Sequence, residues 1–248
     1  MKSHCFFALL FIGLTSNIAL AAAPDSEPTK AAEQVERQLR DVAGWKLHIH
    51  PELLEKQPEK TARAIELLNI QLQEIQRVLP PAVVAELQQV PLYFSPEYPN
   101  RQPLAEFHPD AGWLRANKRD PAMAKAVEFT NIRIFEREVN RMPNFALHEL
   151  AHAYHFRVVE KGFQNAQIKS AYEQAKSKGL YEKVERHHGN GKPNTFERAY
   201  AMTTPQEYCA ETSEALLTRN DFFPFTREEL QRHDPEMFAL LKELWRLQ

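Results

Sequence analysis

Cysteine is nearly absent from this chain, with two in 248 residues. Cys5 falls in an N-terminal apolar run, so processing would leave Cys209 alone and no intramolecular disulfide could form. Stability must come from an apolar core, which a chain of this length buries without cross-links. Long runs of one charge are missing as well. The formal charge is −2, from 31 Lys and Arg against 33 Asp and Glu, and loss of Lys2 takes it to −3. Nucleic-acid binding therefore has no electrostatic support. Internal repeats and low-complexity tracts are absent too. So is an apolar run long enough to span a membrane, because Thr15, Ser16 and Asn17 interrupt the first one short of the roughly 18 residues required.

That first run has the form of a secretory signal. Lys2 precedes an apolar core from Cys5 to Leu14, and Ala19-Leu20-Ala21 supplies small residues for cleavage after residue 21 or 23. No cysteine stands at that point, which argues against a lipid anchor. The expectation is a secreted or periplasmic monomer with no membrane segment once the signal is removed. Residues 22–43 would form a leader and first helix, and residues 44–248 one domain.

What the chain does hold is Ala146 to Phe156, ALHELAHAYHF. His148, Glu149 and His152 stand in H-E-x-x-H spacing, and residues four apart on a helix share a face, so both imidazoles reach one metal ion. Zinc accepts neutral imidazole, and a catalytic site keeps one position for a water that an adjacent carboxylate deprotonates. Leu147, Leu150, Tyr154 and Val158 form the stripe that would bury the opposite side, and Pro143 suits a helix start. His155 reads as a packing residue.

Upstream, Val35, Leu39 and Val42 are spaced for a helix over residues 30–42, and Trp45 to His50 alternates as a strand with His48 and His50 on its polar face. Thr61 to Leu79 carries a strong helical period closed by Pro80 and Pro81, and Val83 to Gln89 a short one. Val90 to Ser95 reads as a strand, residues 97–120 as irregular with a short strand at Ala111 to Leu114, and Ala126 to Phe135 as the best strand of all. Beyond the metal motif come a helix over Gln164 to Lys178 and a loop from His187 to Thr195. Helices over Thr204 to Thr218, Thr226 to His233 and Pro235 to Arg246 complete the chain. Strands early and helices late make an α+β domain, with a small N-terminal sheet and a mostly helical C-terminal half.

Two histidines leave zinc one protein ligand short. A metzincin would place Gly and His where His155 and Val158 stand, so that arrangement fails. Gln206 to Leu217 offers Glu207 and Glu211 four apart on one face, and spacing does not choose between them. Against both stand structural readings: Glu207 as the last residue of a T-x-x-E cap, and Glu211 with Glu214 as a solvated face. Cys209 points away from that face.

HELAH followed by E-x-x-A-E on a later helix resembles the gluzincin zinc peptidases, in particular those similar to anthrax lethal factor and the secreted Pro-Pro endopeptidases. In that group a tyrosine lies seven residues before the glutamate ligand, and Tyr200 lies seven before Glu207. The resemblance covers about Asn144 to Leu217. It implies a zincin-like fold and one zinc ion held by His148, His152 and Glu207. Glu149 would be the general base, Tyr200 the oxyanion donor, and Glu211 a partner beside the ligands. The substrate would be a peptide or protein, aligned along Ala126 to Phe135 as a sheet edge. A secreted zinc-binding module acting in protein interaction needs the same ligands but not Glu149, whose presence counts against it.

Overall fold

In the computed structural model, which describes residues 35–248, Trp45, Leu47 and Ile49 are fully buried while Lys46 between them is exposed. This alternation builds the inner strand of a hairpin, β1 (Gln38–Val42) and β2 (Trp45–Ile49). The turn is Ala43-Gly44, with φ of 50° and 87°, the left-handed pair that a two-residue hairpin requires. The helix expected over residues 30–42 is therefore corrected where it can be seen. Leu39 and Val42 pair with β2, because strand pairing outweighs three apolar residues at helical spacing; residues 30–34 lie outside the described residues, as does the expected signal.

Three helices follow, α1 (Pro51–Lys56), α2 (Pro58–Val78) and α3 (Pro81–Leu87), each opening on a proline that has no intrahelical partner to lose. β3 (Leu92–Phe94), β4 (Ala105–His108), α4 (Ala111–Ala116) and β5 (Ala126–Phe129) come next. The sheet order is β1-β2-β3-β5-β4, with β2, β3 and β5 parallel and β4 antiparallel at the edge. Two expectations change here. Ala111 to Leu114 is helical, because Asp110 Oδ1 accepts the N–H groups of Gly112 and Trp113 at 2.7 and 3.0 Å and caps α4. The strand from Ala126 stops at Phe129, Ile132–Ile134 is a 3-10 turn, and Phe135 opens α5 (Phe135–Arg141). β5 is also paired on both sides, so it is not the sheet edge that was expected; β4 is the outer strand beside it.

The C-terminal half holds α6 (Phe145–Arg157), α7 (Ala166–Ser177), the hairpin β6 (Val184–Arg186) and β7 (Thr195–Glu197), α8 (Pro205–Leu217), α9 (Arg227–His233) and α10 (Pro235–Leu244). One sheet face turns Leu92, Phe94, Phe107, Val127 and Phe129 into a core shared with α2 and α6. The other face carries Tyr93 and Ala126 against Leu114 and Met123. Glu106 and Glu128 lie opposite each other in the β4–β5 register. Arg119, 4% exposed, bridges them, its Nη1 3.1 Å from Glu128, while His108 Nε2 and the Tyr98 hydroxyl stand 2.9 and 2.8 Å from the same carboxylate. Burial alone would raise the Glu128 carboxyl, but the groups of His108, Ser95 and Tyr98 around it hold it below the usual range. Among the described residues no helix is long and apolar enough to cross a membrane.

Candidate metal centre

The helix that carries the motif is locked at its start. Asn144 caps α6, its Oδ1 accepting the Leu147 N–H at 3.0 Å and its Nδ2 donating to the Gln71 carbonyl and Glu74 on α2 at 3.1 and 3.0 Å. Gln71 in turn accepts the Ala146 N–H at 2.9 Å. The cap is thus Asn144, and Pro143 stands just outside the helix rather than in its first turn. Leu147, Leu150 and Tyr154 are buried as the stripe requires, whereas Val158 is only partly so and ends the helix.

α8 starts on Thr204, whose Oγ1 accepts the Glu207 N–H at 3.1 Å. The Glu207 side chain does not return to the cap. It points across to α6, where its Oε2 lies 3.1 Å from His148 Nε2 and 3.2 Å from His152 Nε2, the two imidazole nitrogens being 3.1 Å apart. Donors on one tetrahedral zinc at about 2.0–2.1 Å stand about 3.3 Å from one another, so this triangle has the size a zinc ion needs. The protonation pattern agrees. His148 Nδ1 lies 2.6 Å from Glu214, fully buried, so a neutral ring keeps its proton there and its lone pair on Nε2, toward Glu207 and His152. Burial alone would favour the uncharged ring, but carboxylates on both nitrogens raise His148 well above an ordinary histidine. Positive charge belongs between these groups, whether brought by a proton or a metal cation.

Glu211 stands farther off, 3.9 Å from His148 Nδ1, and the direct contact is made by Glu214 one turn on. Neither glutamate forms a solvated face: they are 2% and 0% exposed, and burial raises both carboxyls, that of Glu214 to about 7. Glu207, Glu211 and Glu214 fall at i, i+4 and i+7, one helical face, and that spacing was the signal by which Glu214 could have been found.

Glu149 lines the same cleft, a cavity of about 540 Å³. Burial raises its carboxyl, and its Oε2 accepts the Phe107 N–H of β4 at 2.8 Å. Tyr200, in a 3-10 turn ahead of α8, also lines the cleft and is 49% exposed, so it is no core residue. Burial raises its phenol, and Glu207 raises it further. Phe107 and Phe163, both in the cleft lining, flank Phe156 with ring centroids 5.8 and 5.2 Å away. Arg141, also in the lining, bridges Glu138 and Asp221 at 3.0 Å each.

Among the described residues, the remaining histidines stay out of the cluster. His155 is buried edge-on to Phe163 with neither ring nitrogen hydrogen-bonded, and burial pushes it down to about 4. His48 stacks on Tyr93 at 4.6 Å, His50 caps α1, and His188 pairs with Thr195. Cys209 is buried, which pushes its thiol up to about 12.

No protein-family profile matches the chain, and no curated protein does. Among solved structures, the chain is similar to the Pro-Pro endopeptidase PPEP-2 from Paenibacillus alvei. The identity is 16%, the match covers 74% of this chain and 90% of that one, and the TM-score is 0.43.

Proposed function

We propose that the protein is a secreted or periplasmic zinc-dependent peptidase of gluzincin type. The observation that carries this reading is the triangle of His148, His152 and Glu207 donor atoms, 3.1 to 3.2 Å on a side, facing a cleft that also holds Glu149. A zinc ion held there supplies a Lewis acid for the scissile carbonyl and makes a nearby water acidic enough to ionise near neutral pH. Glu149 takes the proton of the attacking water and delivers it to the leaving amine, a role that its raised carboxyl suits. The Phe107 N–H holds Oε2 of Glu149 and leaves Oε1 for the proton. The Tyr200 hydroxyl, on the same cleft, donates to the developing oxyanion.

β4 supplies the alignment. Thr130 N–H donates to the Leu104 carbonyl and Lys125 N–H to the His108 carbonyl, so even-numbered backbone groups face β5; with the Phe107 N–H held by Glu149, the Ala105 N–H and carbonyl and the Phe107 carbonyl are left facing outward. An extended peptide can pair with that edge, which makes the substrate a polypeptide chain.

The test is Glu149→Gln. It should keep stoichiometric zinc and the wild-type fold while cleavage of a diverse peptide library falls roughly 10²–10⁴-fold, because an amide cannot accept the proton. Full hydrolysis by this variant would refute the mechanism. Zinc binding without any hydrolysis by the wild-type protein would leave the zinc-binding module.

A further inference from the structure

A buried amide in the wall of the cleft leaves its oxygen without a hydrogen-bond partner. Asn131 is 2% exposed and lines the cleft beside Leu104, Ala105 and Phe145. It opens the turn at Ile132–Ile134 without capping it through its side chain, and its Oδ1 has no hydrogen-bond partner. Its neighbours differ. Thr130 Oγ1 accepts the Leu104 N–H and donates to the Leu104 carbonyl, both at 3.0 Å, and the carboxamide of Asn144 is used at both ends. An unsatisfied buried amide oxygen costs about 1–3 kcal/mol, so such a group calls for a ligand that completes it.

We propose that Asn131 is a substrate-binding residue whose carboxamide hydrogen-bonds the main chain of a peptide lying along β4. The proposal rests on the peptidase reading and adds a contact to it. Leu104 spends its own N–H and carbonyl on Thr130, so outward pairing along the edge ends at Ala105. Asn131 follows Thr130 directly in the chain and lines the same cleft as Leu104 and Ala105. The terminal torsion of asparagine is soft, so the amide turns toward the cleft at little cost and offers an acceptor to a peptide N–H or a donor to a peptide carbonyl. Main-chain recognition of this kind tolerates different side chains at that position of the substrate.

Leucine has the same branching and number of side-chain heavy atoms as asparagine and adopts the backbone of Asn131, φ −87° and ψ 24°. Replacing an unsatisfied amide by an apolar group of like shape does not weaken the free protein. Asn131→Leu is therefore expected to unfold at the wild-type temperature or above, and to keep its zinc. Its kcat/KM on extended peptides should fall about tenfold, mostly through KM, the equivalent of one hydrogen bond. A fluorescein-labelled decapeptide should also bind the Glu149→Gln protein about tenfold more weakly once Asn131→Leu is added. Asn131→Ala should repeat both losses. A lower unfolding temperature for Asn131→Leu with unchanged kcat/KM would make the amide structural and overturn the proposal, as would unchanged decapeptide affinity at unchanged stability. The peptidase reading fails separately, when the zinc-loaded wild-type protein neither cleaves nor binds any peptide.

Discussion

Glu214 lies outside the triangle of donor atoms but meets it through His148. Its carboxylate fixes the proton of His148 on Nδ1 and so aims the Nε2 lone pair. Glu214→Gln removes the charge and keeps the shape, and zinc affinity measured by competition with a chromophoric chelator should fall roughly 10 to 100-fold. Glu211→Gln, 3.9 Å away, should cost less; the opposite ranking would exchange the roles of the two glutamates. The histidine motif was legible as a spacing, whereas Glu207 and Glu211 share one helical face and spacing did not separate them; the fold sets Glu207 beside both imidazoles. Glu214 passed for a solvated residue although its spacing from Glu207 put it on the same face, since a glutamate on a helix looks the same whether solvent or a histidine meets it. Asn131 leaves no trace at all, because an amide without a partner is defined by what surrounds it in space.

At the scale of elements, β4 carries more function than its length suggests. It provides the Phe107 N–H to Glu149 on one side and is held from the other face by Arg119, between Glu106 and Glu128. Arg119→Met leaves Glu128 buried and short of its cation, a change expected to cost about 3–5 kcal/mol. Denaturant midpoints should show that loss, and kcat should fall with it as Glu149 loses its anchor; wild-type stability would show that the cluster is dispensable. The long period of α2 and the extents of α9 and α10 were readable because each is local. β4 was hidden inside a segment of prolines and charges, since an edge of four residues has too little alternation to register. β1 passed for a helix for the complementary reason, its pairing with β2 being invisible in a one-dimensional pattern.

Across the whole molecule, the donor triangle joins α6, tied to α2 by Asn144 and Gln71, to α8, tied to α10 by the Trp245 to Ser213 hydrogen bond at 2.9 Å. An ion held by both helices stabilises the folded chain over the unfolded one, by about 4 kcal/mol when free zinc is a thousandfold above Kd. Chelation should then lower the melting temperature by roughly 8–16 °C, and His148→Ala should show no such response in calorimetry. A chelator-insensitive wild-type protein would argue against a bound metal. The open edge of β4 has one more consequence. Such an edge would equally accept a strand from a second copy of the chain, the first step of runaway association. Pro103 and Pro109 bracket its four residues, and because proline lacks the N–H that a growing ladder needs, any such pairing ends within a few residues. The punctuation that hid this strand from the sequence pattern is thus also a safeguard against aggregation.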